Sequence, residues 1–392
     1  MWVVLTGRCD QQLQSKPQHA LMYLIMHGFS RRNAGDGLLV DLTYEALGQA
    51  GIDRDRCALL ALDPESFADL KHVFRAPGEP RAQPSLRLCS AGIEVVTDGI
   101  SSMLGTGLGA SQVARLATRA RGLIAVGGGY LVADSPVRQM GVLFNHLVQL
   151  RVAGRAGVPS IYLPQSIGPL RGPVGRATAR ALRSIDRLYV RDDKSLAEVG
   201  GPNVRRCADL AVMKLARELA GVTRQERGDN RTVLVGRDLP NAGSYVERLC
   251  ELQRLVSSPA WAVQADVIGH RSDRAFYQSL GLPDAGPLAN VLKTRPGVVV
   301  SVRLHGAIAA LIAGWPAIHL AYERKGWGAY EDLGLAAFVH DARTFDPATV
   351  ARQVDALQRD PGKFWERIRR VMPVLQAQYD DLVSDLRARL VG

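Results

Sequence analysis

Apolar residues fall along this chain in short, β-branched runs, each followed by a glycine-bearing or polar turn and then by a stretch with helical spacing. The run Leu21–His27 leads through Gly28-Phe-Ser-Arg-Arg-Asn-Ala-Gly-Asp-Gly37 into a helix over Leu38–Gln49. A strand, a glycine-bearing loop and a helix in that order open a doubly wound sheet. The alternation continues with strands at Ala58–Leu62, Leu123–Val126, Ser160–Leu163 and Leu188–Val190. Helices are expected at Ser111–Arg119, Pro136–Val152 and Pro173–Arg183, and after Ser195. Phe67–Ala82, broken by Pro77, Gly78 and Pro80, reads as loop; Glu94–Val96 reads as a short strand and Ser101–Gly109 as a mobile Ser/Gly stretch. Trp2–Leu5 fits a strand, but the Gln-rich residues after it read as loop.

The polar stretch Leu219–Asn230 reads as a linker between domains. Beyond it the pattern predicts strand Thr232–Gly236, helix Tyr245–Val256, strand Trp261–Ile268, and helices Asp273–Leu280 and Leu288–Lys293. Val298–Val300 is a strand buried on both faces, Ser301 caps the Ala-rich helix that follows, Gly314 ends that helix and Pro316 opens the next strand. Phe338–His340 is a last short strand, and Ala348–Leu357 and Phe364–Leu390 are helices. The expected class is α/β: two Rossmann-like doubly wound domains, 22–217 and 231–360, face a cleft, and the C-terminal helix, 361–392, packs back on the first.

Composition narrows the class. The chain has 392 residues, 47% of them hydrophobic and 22% charged, as expected of a globular protein with two full cores. The net charge of +11 suits polyanions, anionic lipid surfaces or phosphorylated substrates. No Lys/Arg run interleaved with aromatics appears, so nucleic acid is not an expected partner. Five widely spaced cysteines without a C-x-x-C fit reduced thiols in a cytoplasmic protein and no zinc site. No signal peptide or membrane-spanning run is visible.

The chemistry gathers where strands end. Arg303, Leu304 and His305 fall in the first turn of a helix, where backbone N–H groups and the helix dipole favour an anion. Arg303 adds a fork of donors, and His305 a group that exchanges a proton near neutral pH. Gly127, Gly128 and Gly129 let a backbone approach a ligand, or simply leave a strand. Asp134 either accepts a hydroxyl proton or caps the helix at Pro136; Asn33 and Asp36 are likewise ligands or caps. Arg191 is a second anion clamp or the partner of a neighbouring Asp, and Ser195 is exposed or a cap. Lys325 neutralises a ligand charge, with Glu323 holding it or acting as base. Arg324 reads as solvated loop, and Asp209 takes no role from chemistry alone. The histidines other than His305 read as packing or surface residues.

Taken in order, Asn33-Ala-Gly-Asp36, Gly127-Gly-Gly-Tyr-Leu-Val-Ala-Asp134, Pro164-Gln-Ser-Ile-Gly-Pro169, Arg191-Asp-Asp-Lys-Ser195, and Ser301-Val-Arg-Leu-His305 with Tyr322-Glu-Arg-Lys325 resemble the polysaccharide pyruvyl transferase family. The resemblance runs from about Met22 to Leu335; residues 1–21 have no counterpart. It implies a GT-B-like fold, with the acceptor on the first domain and phosphoenolpyruvate on the second. The implied reaction joins phosphoenolpyruvate to two hydroxyls of a cell-envelope or exopolysaccharide precursor, often lipid-linked, as a cyclic pyruvate ketal. No cofactor or metal is implied beyond phosphoenolpyruvate as co-substrate. His305 would be the acid, with Arg191, Arg303 and Lys325 on the dianion and Asp36 or Asp134 on the acceptor. Ser195, Leu304, Glu323, Asn33 and the three glycines would line the substrates. The other readings are a GT-B glycosyltransferase using a nucleotide sugar, with Arg303 on its pyrophosphate, and a non-catalytic envelope sugar-binding protein. The expected setting is the cytoplasm, with the positive charge favouring an anionic membrane face, and a homo-oligomer is compatible.

Overall fold

The structure, a computed structural model, describes residues 22–77, 112–219, 229–239, 242–266 and 272–392. The expectations for Trp2–Leu5, Glu94–Val96, Ser101–Gly109, most of the linker, His19 and His270 lie outside the described residues.

Two parallel sheets carry the fold. The first uses β1 (Met22–Gly28), β2 (Cys57–Ala61), β3 (Val73–Arg75), β4 (Ala120–Ala125), β5 (Gly128–Ala133), β6 (Ser160–Leu170), β7 (Arg187–Val190) and β8 (Val204–Arg206). Its order is β3-β2-β1-β4-β6-β7-β8, with β5 also paired to β6. The second uses β9 (Thr232–Val235), β10 (Pro259–Val263), β11 (Asp284–Pro287), β12 (Val298–Ser301), β13 (Ala317–Ala321) and β14 (Val339–Asp341), in the order β11-β10-β9-β12-β13-β14. Central strands are apolar on both faces because helices cover both: every residue of β2, β9, β12 and β13 is buried.

The triple glycine corrects one expectation. Gly127 leaves β4, but Gly128 and Gly129 open β5, which continues along the same flank of β6. Pro164 explains the break. It has no N–H for the ladder, β6 shifts register between Tyr162 and Gln165, and a Cβ on Gly127 would lie 2.7 Å from the Pro164 carbonyl oxygen. Strand β3 forms inside the stretch expected to be loop, and β8 and β11 add edges. The expected helix over Pro136–Val152 divides into Pro136–Asn145 and Leu147–Ala153.

Helix Leu210–Leu219 joins the lobes. Val212, Met213, Leu215 and Ala216 are buried. The helix packs on Ala34–Gln49, on Leu304–Ile312 of the second lobe and on the long terminal helix Gly362–Leu390. One apolar cluster therefore runs from Tyr23 and Ile25 through this helix to Val233 and Val299. The terminal helix lies against the first sheet: Tyr23 Oη donates to the Leu390 carbonyl at 2.9 Å, and Asp385 accepts from Arg187 and Tyr189. Among the described residues no helix is long and apolar enough to cross a membrane.

Candidate functional site

The carboxyl ends of the two sheets face each other and touch. Asn33 and Ala265 form an antiparallel bridge, and Ala34 N–H donates to the Gln264 carbonyl at 3.3 Å. From below the bridge, Asn33 caps helix Ala34–Gln49 through Gly35 N–H and donates to Asp36 Oδ2 at 2.7 Å. Asn33 is thus a cap that also fixes Asp36. Helix Leu304–Ile312 comes up from the other side, starting at Arg303 rather than at Ser301. The Ser301 hydroxyl instead accepts from Arg303 N–H and donates to its carbonyl, closing the turn. A Cβ on Gly35 would meet His305 Nδ1 at 2.8 Å, so the imidazole packs against the first lobe's helix where there is no side chain.

Asp209 ties the lobes together chemically. Its Oδ1 accepts from Ala211 N–H at 2.8 Å at the start of the junction helix. Its Oδ2 takes Arg191 Nη1 and lies 3.7 Å from His305 Nε2. Burial would raise this carboxyl, but Arg191 and His305 outweigh it and hold it well below the usual range. Arg191 Nε donates to Ser166 Oγ at 3.0 Å, and Ser166 donates to Asp192 at 2.7 Å. These bonds aim the remaining nitrogen. The position of a Cβ on Gly129 is 3.5 Å from Arg191 Nη2 and 3.9 Å from Lys325 Nζ. Gly129 is exposed, so two cations converge on an open position that a larger residue would fill.

Glu323 holds Lys325 at 2.9 Å, one of the two roles expected for it. Burial alone would lower the Lys325 ammonium, but Tyr322 and Glu323 keep it raised. Burial raises Asp36 against the opposing pull of His305, Lys325 and Arg303. The neighbouring Gly35 packs on His305, so Asp36, held by Asn33, shares this side of the cleft with the imidazole.

Several expected residues are placed otherwise. Arg303 is buried, with Nε donating to Asp273 at 2.8 Å and Nη2 to the same carboxylate, so it is not an open fork. Leu304 packs its side chain into the core. Ser195 is fully buried; its hydroxyl donates to Asp192 and accepts from Ile167 N–H, both at 2.8 Å. Asp134 is exposed, 3.0 Å from Arg138, and Ser135 caps the next helix. Asp134 therefore stands on the rim. Arg324 is no solvated loop residue: it begins helix Arg324–Asp332 and donates across the cleft to the carbonyls of Ile167 and Gly168.

Asp209 and Asp273 went unassigned in the sequence. Each is a single carboxylate at a helix start, the only signal available. Arg237, at the end of β9, was also missed; its guanidinium sits over the Tyr322 ring at 4.8 Å. No group of His, Cys, Asp and Glu among the described residues could hold a metal ion.

A family model described as polysaccharide pyruvyl transferase matches residues 33–324. No curated protein matches the chain. Among solved structures, Arabidopsis thaliana UGT89C1 complexed with quercetin has a TM-score of 0.53 at 11% identity, covering 95% of this chain and 100% of its own. UDP-N-acetylglucosamine 2-epimerase from Rickettsia bellii scores 0.51 at 12% identity, over 95% and 96%. Anabaena Alr3699/HepE in complex with UDP and glucose scores 0.50 at 11% identity, over 95% and 98%. At such identities the likeness is one of fold, that of the GT-B glycosyltransferases. With most of the chain matched, including the turns that bear Asp36, Gly129, Arg191, Asp209 and His305, this protein belongs to the polysaccharide pyruvyl transferase family.

Proposed function

We propose that the protein moves the enolpyruvyl group of phosphoenolpyruvate onto two hydroxyls of a sugar in a cell-envelope or exopolysaccharide precursor, closing a cyclic ketal and releasing phosphate. The observation that supports this most is the open position over Gly129, within 3.5 Å of Arg191 Nη2 and 3.9 Å of Lys325 Nζ. One phosphate or carboxylate fits there between two cations.

In this reading His305 protonates the methylene carbon of phosphoenolpyruvate, leaving its neighbour electron-poor. One sugar hydroxyl adds to that carbon, and the bond to the phosphate oxygen breaks, with the electron pair leaving on phosphate. The second hydroxyl adds and closes the ring. The two hydroxyl protons balance the one gained by the methylene and the one carried off with phosphate. Asp36, with its raised pKa and its place beside His305, takes the proton of an attacking hydroxyl. Asp209 touches no substrate; it positions Arg191 and His305 together. Asp134, on the rim, is assigned no proton transfer.

The test is incubation with phosphoenolpyruvate and a panel of sugar acceptors, read by phosphate release and by the acceptor's gain of a pyruvate ketal in mass spectrometry. Acceptor-dependent release with matching ketal is expected. Consumption of a nucleotide sugar instead would make the protein a glycosyltransferase, and binding without turnover of either donor would make it a sugar-binding protein.

A further inference from the structure

Among the described residues, one face of the first lobe carries charge of a single sign. From Ser135 to Ile185 the chain holds seven arginines, no lysine and no Asp or Glu, so this segment alone has a net charge of +7 against +11 for the whole chain. It folds as helices Pro136–Asn145, Leu147–Ala153 and Gly172–Leu182, packed on one another, together with β6. The described acidic groups at its border are already engaged. Asp134 pairs with Arg138 at 3.0 Å, Asp186 accepts from Ser160 at 2.8 Å, and Glu198 accepts from Leu170 N–H at 2.8 Å.

The outer two helices divide the work. Helix Pro136–Asn145 contains Val137, Met140, Val142, Leu143 and Phe144, yet only Val142 is buried. Val137 is 82% exposed and Met140 45%. Helix Gly172–Leu182 lies alongside, with Gln139 of the first helix against Gly172. It turns Arg176 and Arg180 outward in one stripe, and exposed Arg183 extends it by one turn. Aliphatic side chains beside a row of cations match a lipid boundary, where the aliphatics enter the headgroup–acyl region and the arginines lie on phosphates. A soluble polyanion would use the charges and leave Val137 and Met140 in water.

We propose that this face docks on an anionic lipid bilayer. The helix of Val137 begins at Pro136, two residues after Asp134 and just beyond the end of β5, the strand whose Gly129 lies against Arg191 and Lys325. Docking there holds the mouth of the cleft against the membrane, where a lipid-carried sugar would enter. That consequence rests on the transfer reading; the docking itself does not.

The experiment is co-sedimentation of the full chain with vesicles of phosphatidylcholine alone and of phosphatidylcholine mixed with phosphatidylglycerol, over a range of salt. Wild type is expected to pellet with the mixed vesicles, weakly with phosphatidylcholine, and less as salt rises. Removing each arginine from the stripe should weaken binding by about fivefold, so Arg176→Gln with Arg180→Gln should show the product of two such losses. Val137→Ser with Met140→Ser should weaken it at unchanged charge. Arg370→Gln, on the terminal helix, should bind as wild type, and thermal unfolding of each variant checks that it folds. Failure of wild type to pellet overturns the proposal. So does equal binding to both vesicle types, or stripe variants that bind like wild type. A solution dimer broken by the Val137 and Met140 changes, with pelleting untouched, would also overturn it, assigning the face to a second copy.

Discussion

Replacing Asp209 by Asn removes one charge and almost no volume. The carboxylate is 2% exposed and its partner Arg191 4% exposed. Asn keeps an oxygen for the Ala211 amide, but it leaves Arg191 buried with nothing to neutralise it. Removing one member of a buried ion pair costs about 3–5 kcal/mol. Asp209→Ala also loses the helix cap, about 1 kcal/mol more. Urea denaturation at neutral pH should therefore rank wild type above Asn and Asn above Ala. Acid should erase the difference. Asp209 is held below the usual carboxylate range because Arg191 and His305 outweigh burial. Its contribution is thus complete above its unfolded value, roughly pH 4, and is lost as pH falls through the folded value. The wild-type stability curve should fall there while that of Asn stays flatter. Phosphoenolpyruvate should stabilise the Asn variant more than wild type, since it meets an unpaired Arg191. An Asn variant within about 0.5 kcal/mol of wild type would refute this account of Asp209.

Two neighbouring glycines should behave oppositely. Gly129→Ala meets nothing closer than 3.5 Å and should fold normally while losing phosphoenolpyruvate affinity in calorimetry, whereas Gly127→Ala drives a Cβ to 2.7 Å from a backbone oxygen and should destabilise by about 1–3 kcal/mol in denaturation. Asp36→Asn should lower turnover by about 10²–10⁴ yet gain stability at neutral pH. Burial, outweighing His305, Lys325 and Arg303, raises this carboxyl, so the charged form is the costly one and the gain should vanish below the usual carboxylate pKa. His305→Ala should lose turnover on the same scale while still unfolding in one cooperative transition. Gly35→Ala places a Cβ 2.8 Å from His305 Nδ1 and should cut turnover through that ring, although Ala favours the helix by about 1 kcal/mol.

The alternation of strands and helices was legible because both lobes punctuate it with Gly, Pro and capping residues. Strands β1, β7, β9, β12 and β13 fall close to where their apolar runs place them. Strand β5 was hidden because Gly128 and Gly129 look like a turn; it is a strand only because β6, some 30 residues on, extends past Pro164 to receive it. The junction helix Leu210–Leu219 went unread although its apolar and polar residues separate at helical spacing; it runs straight into the polar stretch read as linker, and only the packing shows that its apolar side serves both lobes. His305, Lys325 and Arg191 could be picked out by residue type at strand ends. The partners of those cations could not be, because strand order decides which carboxylate reaches which arginine. Asp209 follows β8 and Asp273 follows β10, and neither position announces its partner.

Those partners bear on the size of the anion. Arg303 commits Nε and Nη2 to Asp273, and Arg191 commits Nε to Ser166 and Nη1 to Asp209. Neither arginine offers the two-nitrogen fork that a pyrophosphate would favour. What converges instead is one nitrogen of Arg191 and the Lys325 ammonium, over a residue with no side chain. Because Ser166 and Asp209 already hold Arg191, an arriving anion does not bear the entropy cost of orienting it. A single phosphate or carboxylate uses that arrangement fully. Under the proposed transfer, the carboxylate pairing that denies Arg191 and Arg303 their open forks leaves this position to one of the two anionic groups of phosphoenolpyruvate.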